Sequence, residues 1–226
     1  RQDLAAGVLG GRLYAVGGVS IVHLNQNEEY DPVSNTWAVR AALPTNRSQL
    51  AAGVVGGKLY AIGGWDGSNV SNKNEEYDPA ANAWTTRAIM PTARRYLTAP
   101  ALNGKLYVTG GYNGSTYGRN EEYDPVLNTW TTRASMPSTR YNFAAAALNG
   151  RLYAAGGIGA TLTNLNEEYN PVSNTWAVKA AMPTARDAQT AAAAGGKLYV
   201  IGGPYNEAYD PALNTWAIRA AMPTNR

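Results

Sequence analysis

The stretch LYAVGGVS, residues 13–20, ends an apolar run in two adjacent glycines. Close variants recur four more times along the chain, as LYAIGGWD, LYVTGGYN, LYAAGGIG and LYVIGGPY. The first glycine of each pair falls at Gly17, Gly63, Gly110, Gly156 and Gly202, so one unit is 46 or 47 residues long. The chain of 226 residues is therefore an array of five copies of one unit.

A second phrase repeats with a fixed internal spacing. Each unit contains Tyr-Asp-Pro or Tyr-Asn-Pro, and a tryptophan follows the tyrosine by seven residues, at Tyr30 and Trp37, Tyr77 and Trp84, Tyr123 and Trp130, Tyr169 and Trp176, and Tyr209 and Trp216. Repeats of this length are typical of propeller blades. We expect one domain over 1–226, with repeats at 1–46, 47–93, 94–139, 140–185 and 186–226.

Each unit contains four short segments that favour β-strands. A small apolar segment leads through Gly-Gly or Asn-Gly, a pairing that favours a tight hairpin, into the double-glycine phrase. The segments NEEYDP and TWAVRA follow, with a turn between them, and no part of the chain has a sustained helical period. The pattern predicts an all-β propeller of five four-stranded antiparallel blades around a central channel, with the repeated tyrosine and tryptophan buried between blades.

The double glycine, the Tyr-Asp-Pro phrase and the tryptophan seven residues later together resemble the kelch motif over essentially the whole chain. The resemblance implies that each repeat is one kelch blade, with its first strand at the channel and its fourth at the rim. Kelch propellers more often have six or seven blades, and Arg226 falls where a sixth repeat would begin. A closed ring of five and a part of a longer array both remain open.

The composition argues against catalysis. The chain has no cysteine and one histidine, His23, and it lacks the Gly-x-Ser-x-Gly phrase of many hydrolases. The Glu-Glu pairs, such as Glu28-Glu29, recur in four repeats, and neighbouring strand residues point to opposite faces, so we assign them to structure. The oxidases that resemble kelch proteins use a Tyr-Cys cofactor, which this chain cannot form. We expect no enzyme activity, no catalytic residue, no metal site and no cofactor.

Charge and hydropathy argue against two classes of partner, nucleic acids and membranes. The formal net charge is +3, and most basic residues fall at repeated positions, which form no nucleic-acid-binding stripe. No stretch approaches the 18 or so consecutive apolar residues of a membrane span. We expect neither nucleic-acid binding nor membrane insertion.

Aromatic residues outside the repeated positions mark a candidate binding surface. Seven aromatics depart from the repeat, and all lie just after a glycine pair or just after a repeated arginine. In a four-stranded meander these two kinds of segment share one end of the blade. Binding residues are often carried on loops of a rigid scaffold, so we expect ligand contacts from Trp65, Tyr96, Tyr112 and Tyr141.

A repeated arginine stands sixteen residues before each glycine pair, at Arg1, Arg47, Arg94, Arg140 and Arg186. In kelch domains of ubiquitin-ligase adaptors, the matching arginine helps to hold acidic peptides, so the resemblance implies the same role here. Five guanidinium groups near one mouth of a channel would form an anion site. The competing interpretation is that each arginine pairs with a repeated glutamate, such as Glu28 or Glu75, and serves the scaffold.

These observations favour a non-enzymatic binding propeller whose loop face recognises a protein or peptide, acidic peptides included. A glycan-binding or structural cell-surface propeller is the alternative, because exposed aromatic rings stack on sugars. A kelch-fold enzyme is the third class, for which the sequence shows no constellation of catalytic residues.

Overall fold

A computed structural model describes residues 1–224, and Arg226, the residue at which a sixth repeat would begin, lies outside them. Residues 1–224 contain twenty β-strands and no helix, and the strands form five four-stranded antiparallel sheets, each made of consecutive strands. The predicted fold class is confirmed: the protein is all-β, and each repeat is one four-stranded blade.

The strands follow the repeats. Blade 1 contains β1 (Ala5–Leu9), β2 (Arg12–Val16), β3 (Asn27–Asp31) and β4 (Thr36–Val39), and blade 2 contains β5 (Ala51–Val55), β6 (Lys58–Ile62), β7 (Asn74–Asp78) and β8 (Ala83–Thr86). Blade 3 contains β9 (Ala101–Leu102), β10 (Lys105–Thr109), β11 (Asn120–Asp124) and β12 (Thr129–Arg133). Blade 4 contains β13 (Ala144–Leu148), β14 (Arg151–Ala155), β15 (Asn166–Asn170) and β16 (Thr175–Lys179). Blade 5 contains β17 (Thr190–Ala194), β18 (Lys197–Gly202), β19 (Tyr205–Asp210) and β20 (Thr215–Ile218).

Turn chemistry sets the first hairpin of each blade. Asn103 and Gly104 have φ values of 52° and 75°, which are the positive angles that a tight type I′ turn requires. The inner strand β9 of blade 3 has only two residues, and it begins directly after Pro100. Proline has no backbone N–H to give to a strand ladder, which accounts for the shortened strand.

The chain divides into two compact units. Unit 1 comprises Arg1–Val108 and Glu121–Thr131, and unit 2 comprises Thr109–Asn120 and Thr132–Arg226. Unit 1 thus holds blades 1 and 2 with most of blade 3, and unit 2 holds blades 4 and 5 with the β10–β11 loop. The single domain over 1–226 stays a prediction.

Consecutive blades pack through opposite faces, which we name by their tyrosines. The leading face carries the tyrosine of the Tyr-Asp-Pro phrase and its tryptophan, and the trailing face carries the tyrosine of the Leu-Tyr phrase. In unit 1, Tyr14 of the trailing face of blade 1 contacts Tyr77 of the leading face of blade 2, with ring centroids 5.6 Å apart. In unit 2, Tyr153 and Tyr209 make the same contact at 5.6 Å.

We call the contact between two consecutive blades a joint. Two hydrogen bonds connect the two blades of a joint near their outer strands. The Trp84 indole Nε1 donates to the Ala41 carbonyl oxygen at 2.8 Å, and Asn82 Oδ1 accepts from the Ala41 backbone N–H at 2.9 Å. The same Asn82 oxygen accepts the Tyr77 hydroxyl. The pair of bonds recurs with the indoles of Trp130, Trp176 and Trp216 and the amides of Asn128, Asn174 and Asn214.

Blade 1 departs from the predicted burial of the repeated aromatics. Trp37 is 56% exposed, whereas Trp84 and its three later counterparts are half-buried. Tyr30 is half-buried, whereas its four counterparts are fully buried. The later aromatics are covered by the trailing face of the preceding blade, so the prediction that Trp37 is buried between blades is wrong.

The glycine pair packs against the backbone of the arginine that opens the next repeat. Gly63 and Gly64 have φ values of 66° and 103°, and Gly64 donates its N–H to the Arg94 carbonyl oxygen at 2.9 Å. A Cβ placed on Gly63 would lie 2.6 Å from that same oxygen. The glycine pair is therefore needed both for its backbone angles and for its lack of a side chain.

Candidate ligand-binding surface

The repeated arginines lie inside the scaffold. Arg47 is fully buried, and its guanidinium donates to Glu75 Oε2 at 2.5 Å and to the carbonyl oxygens of Gly63 and Ala61. Arg94 is also fully buried and donates to Glu121 Oε2 at 2.6 Å and to the Val108 carbonyl oxygen. Each arginine thus joins the end of a blade's second strand to the start of its third.

The same arrangement recurs in unit 2. Arg140 donates to Glu167 Oε2 at 2.8 Å and to the carbonyl oxygens of Gly156, Leu165 and Ala154. Burial lowers the pKa of Arg140 to about 10, and the charge of Glu167 opposes that shift. Arg186 pairs with Glu207 at 2.6 Å.

The first arginine follows the pattern with more exposure. Arg1 donates to Glu28 Oε2 at 2.7 Å and to the Ala15 carbonyl oxygen. The Glu28 side chain is 37% exposed, whereas Glu75, Glu121, Glu167 and Glu207 are almost completely buried. This pair therefore lies at the edge of the scaffold.

These contacts correct the expectation of an exposed arginine ring. Arg47, Arg94 and Arg140 offer no exposed surface to a ligand, and each guanidinium is bonded to a carboxylate of its own blade. The competing interpretation, in which each arginine pairs with a repeated glutamate, describes this geometry. A role for Arg1 and Arg186 in binding stays a prediction.

The two kinds of variable segment meet. Trp65, which follows a glycine pair, forms a backbone bridge with Ser48, which follows a repeated arginine, through hydrogen bonds of 2.8 and 3.0 Å. Gln2 bridges Val19 in the same way in blade 1, and in unit 2 Tyr141 bridges Ile158. The Asp66–Asn69 tip beyond Trp65 is a tight turn, in which Asp66 Oδ1 accepts the N–H groups of Ser68 and Asn69.

One cluster of variable side chains lies in unit 1. The Arg95 guanidinium carbon lies 5.0 Å from the centroid of the Trp65 ring and 5.4 Å from that of Tyr96. Arg95 also donates to Gln49 Oε1 at 3.1 Å. Two half-buried aromatic rings and one cation thus form a preorganised amphipathic patch, which we call the Trp65 patch.

A second cluster lies in unit 2. The rings of Tyr112 and Tyr141 are tilted by 49° with centroids 5.2 Å apart, and both residues are half-buried. Next to Tyr141, Asn142 donates from Nδ2 to Asp187 Oδ2 at 2.7 Å. The structure therefore brings Trp65 and Tyr96 to Arg95 in unit 1, and it brings Tyr112 and Tyr141 together in unit 2.

Each repeat also holds one non-glycine residue in the left-handed region two positions after its arginine. We call this the left-handed position; its φ values lie between 50° and 56°, and its residues are Asp3, Gln49, Tyr96, Asn142 and Ala188. Positive φ is rare for an aromatic residue. The five residue types all differ, whereas their backbone conformation is the same. The scaffold thus fixes this backbone and leaves its side chain free to vary.

Sequence reasoning named Tyr96 as a ligand contact, but it missed the left-handed conformation that these five residues share, and it missed the asparagines of the blade joints. The asparagines have a repeated signal, because Asn82 and its counterparts stand five residues after the tyrosine of the Tyr-Asp-Pro phrase. The left-handed position has no such signal, because five different residues occupy it. Its conformation is set by backbone bonds between repeats, such as that from the Tyr96 N–H to the Gln49 carbonyl oxygen.

Glu29 and His23 both contact other residues of the scaffold. Glu29 accepts hydrogen bonds from Arg12, Arg40 and the Tyr14 hydroxyl, which places the second glutamate of the repeated pair in an ion cluster. His23 shares a hydrogen bond with Ser48 Oγ. Among residues 1–224 no group of three or more histidine, aspartate or glutamate side chains is placed to hold a metal ion. The same residues include no helix long and apolar enough to cross a membrane.

Comparisons with known proteins agree with the architecture. The family model described as the KLHDC2/KLHL20/DRC7 Kelch-repeats domain matches residues 1–157, and the Kelch motif model matches residues 139–183. A search of the curated proteins found no match. A solved structure described as that of YjhT superposes with a TM-score of 0.85 at 16% identity, over 97% of this chain and 84% of that one.

The five four-stranded antiparallel blades and their joints define a β-propeller fold of the kelch type. The chain belongs to the kelch-repeat family, because the first of these models covers more than half of it. Kelch propellers generally act as binding or scaffold domains, and proteins are their usual partners.

Proposed function

We propose that this chain is a non-enzymatic binding module that recognises a protein or peptide segment through its variable loops. The observation that carries the proposal is the Trp65 patch, in which the Arg95 guanidinium lies 5.0 Å from the Trp65 ring centroid and 5.4 Å from that of Tyr96. Aromatic and arginine side chains are enriched at the centres of protein interfaces, where they provide large contact areas at a low entropic cost.

The placement of the charged groups supports the same assignment. Arg47 and Arg94 are buried against glutamates, whereas the Arg95 guanidinium lies in the variable loops close to two aromatic rings. An acidic residue beside an apolar one would contact both the guanidinium and the rings. Preference for an acidic segment is therefore assigned to Arg95, and the buried arginines hold the loops that carry it.

The left-handed position strengthens the proposal. Tyr96 has a φ of 54°, a conformation that costs about 1–2 kcal/mol for a residue with a side chain. Such backbone strain is tolerated where the surrounding structure enforces it and often occurs at binding sites. A backbone fixed in this way holds Tyr96 in place, and a rigid site loses less entropy when it binds.

The test is selection from a random peptide display library against the immobilised protein. We expect enriched peptides to bind the wild type and Leu127→Ala equally, because Leu127 is an exposed residue of the β11–β12 turn at the other end of its blade. Trp65→Ala should weaken binding by about 30-fold, since hot-spot truncations typically cost about 2 kcal/mol. Replacing the acidic residues of the enriched peptides should weaken their binding to the wild type more than their binding to Arg95→Ala.

Two outcomes would contradict the proposal. Failure to enrich any peptide, or binding that is unchanged by both Trp65→Ala and Tyr96→Ala, would remove the Trp65 patch as the site. The alternative, a glycan-binding propeller, is checked on a glycan array. Sugar binding that Trp65→Ala abolishes, together with no peptide enrichment, would replace a protein partner by a glycan.

A further inference from the structure

The tip of the β2–β3 loop of blade 1 is an exposed apolar turn. Ile21 is 98% exposed, and Val22 is 62% exposed. The turn is closed by the Ser20 N–H, which donates to the Val22 carbonyl oxygen at 3.1 Å. We call this turn, residues 20–22, the blade 1 tip. Two aliphatic side chains are thus held in water on an ordered loop.

An apolar tip is particular to blade 1. The same kind of backbone hydrogen bond closes the equivalent turns of blades 3 and 4, where Asn113 donates to the carbonyl oxygen of Ser115 and Gly159 donates to that of Thr161. The residues of these two turns are small or polar, as turns generally favour: Asn113, Gly114 and Ser115 in blade 3, and Gly159, Ala160 and Thr161 in blade 4. The blade 1 tip therefore departs from the chemistry of a turn that other blades share.

The exposure of the blade 1 tip follows from its place in the loop. Gly114 and Ala160, the equivalents of Ile21 in blades 3 and 4, are also exposed, and a Cβ on Gly114 would meet no atom within 4 Å. Exposed valines elsewhere, such as Val33 and Val126, recur after the proline of the β3–β4 turn, so they belong to the repeat. The apolar tip is not repeated, and in this respect it resembles the residues of the Trp65 patch.

The loop that carries the blade 1 tip contacts the loop that carries Trp65. His23 directly follows the tip, and its Nδ1 lies 3.0 Å from Ser48 Oγ. Ser48 in turn forms the backbone bridge with Trp65. On the other side of Trp65 in the chain, a Cβ on Gly67 would lie 2.9 Å from His23 Cδ2. The blade 1 tip and the Trp65 patch thus belong to contacting loops of unit 1.

We infer that the blade 1 tip is a second contact for the partner that binds the Trp65 patch, and that it takes an apolar side chain of that partner. The inference rests on the proposed function. A protein segment that crosses both loops would place an acidic residue at Arg95 and an apolar residue at Ile21 and Val22. Side chains branched at Cβ have few rotamers, so they lose little entropy when a partner covers them. The partner is therefore a segment with one charged contact and one separate apolar contact.

The test uses the peptides enriched on the wild-type protein. Ile21→Ser combined with Val22→Ser removes the apolar tip without adding a charge that would repel an acidic ligand. Val33→Ser is the matched control, because Val33 is 95% exposed in the β3–β4 turn, at the other end of the same blade. We expect the double variant to weaken peptide binding about tenfold, or about 1.4 kcal/mol, and the control to bind like the wild type. The tenfold factor should persist at high salt, since salt screens charges and not apolar contacts.

A double-mutant cycle identifies the peptide residue that contacts the blade 1 tip. Each apolar residue of an enriched peptide is replaced by serine in turn, and its binding is measured to the wild type and to the double variant. We expect one position whose replacement weakens binding to the wild type about tenfold and changes binding to the double variant much less. Arg95→Ala should show no such coupling with that position.

Three results would overturn the inference. One is a double variant that binds every enriched peptide as tightly as the wild type while Trp65→Ala still weakens binding, which would leave the proposed function standing. Another is a double variant that melts below Val33→Ser in circular dichroism, which would assign the tip to the scaffold. The third is binding of phosphatidylcholine vesicles that the double variant abolishes with its peptide affinity unchanged, which would make a lipid surface the occupant. Failure to enrich any peptide would remove the proposed function and this inference together.

Discussion

At the scale of the residue, the glycine pair is a packing requirement as much as a conformational one. Gly56 and Gly63 both have positive φ, 59° and 66°, so alanine is strained at either position. They differ in their surroundings, because a Cβ on Gly56 meets no atom within 4 Å, whereas one on Gly63 lies 2.6 Å from the Arg94 carbonyl oxygen. The difference separates backbone strain from close approach.

We therefore expect Gly56→Ala to lower the free energy of unfolding by about 1–2 kcal/mol, the cost of a left-handed alanine. Gly63→Ala should lower it by about 1–3 kcal/mol more, because the Arg94 backbone must move. Urea titration of both variants measures the two values. Equal losses would show that only the φ angle matters at the glycine pair.

The ion cluster of blade 1 predicts a dependence of stability on pH. The hydrogen bond from Arg40 holds the pKa of Glu29 below its usual 4.5, burial opposes that shift, and the Tyr14 hydroxyl adds to it. A carboxyl whose pKa is lowered on folding contributes stability above its unfolded pKa and loses it as the pH falls. Glu29 thus stabilises the fold at neutral pH.

The wild-type melting temperature should fall as the pH is lowered from about 5 towards about 3, a window that begins near the unfolded pKa of Glu29. Glu29→Gln should be less stable at neutral pH and should show a shallower fall, because glutamine has no charge to lose. Melting curves at several pH values, followed by circular dichroism, measure both slopes. Parallel slopes would exclude Glu29 as a source of the acid sensitivity.

At the scale of the element, the joint between blades depends on one asparagine. Asn128 Oδ1 accepts both the Ala88 N–H and the Tyr123 hydroxyl at 2.8 Å, and Trp130 Nε1 donates to the Ala88 carbonyl oxygen at 2.7 Å. Asn128 also has a φ of 54°, which asparagine tolerates better than most residues. One residue thus closes the turn of one blade and fixes the position of its neighbour.

Two substitutions separate these roles. Asn128→Gly keeps the positive φ and removes the two hydrogen bonds, each typically worth about 0.5–1.5 kcal/mol. Asn128→Ala removes the same bonds and adds the strain of a left-handed alanine, about 1–2 kcal/mol. We expect the alanine variant to be the less stable of the two in urea titrations. The reverse order would mean that the turn angle contributes nothing.

The sequence predicted these elements well because their chemistry is repeated five times. The fixed Tyr-to-Trp spacing and the Asn103-Gly104 turn each correspond to a local requirement that one repeat satisfies by itself. Prediction failed where the partner lay in another segment. The repeated arginine was charged and regular, and only the three-dimensional position of Glu75 or Glu121 shows that it is buried.

At the scale of the whole molecule, repeated and variable residues have different roles. The repeated arginines and aromatics hold strands and blades together in each compact unit, and the variable residues lie on loops that the repeated ones position. Trp65 illustrates the dependence, because its backbone bonds to Ser48, the residue directly after the buried Arg47. The sequence predicted Trp65 as a variable aromatic, but it did not predict that the Arg95 guanidinium lies close to both Trp65 and Tyr96.

The most direct test of this division is the free energy of unfolding of Arg94→Met compared with that of Trp65→Ala. Arg94→Met leaves the buried Glu121 carboxylate unpaired, so we expect a loss of about 3–5 kcal/mol. Trp65→Ala removes a half-buried loop side chain and should cost less than about 1 kcal/mol, in the range of surface substitutions. Adding Glu121→Leu to Arg94→Met should recover part of the loss, because the unpaired charge is gone. An Arg94→Met protein as stable as the wild type, or a Trp65→Ala protein destabilised as much as Arg94→Met, would contradict the account.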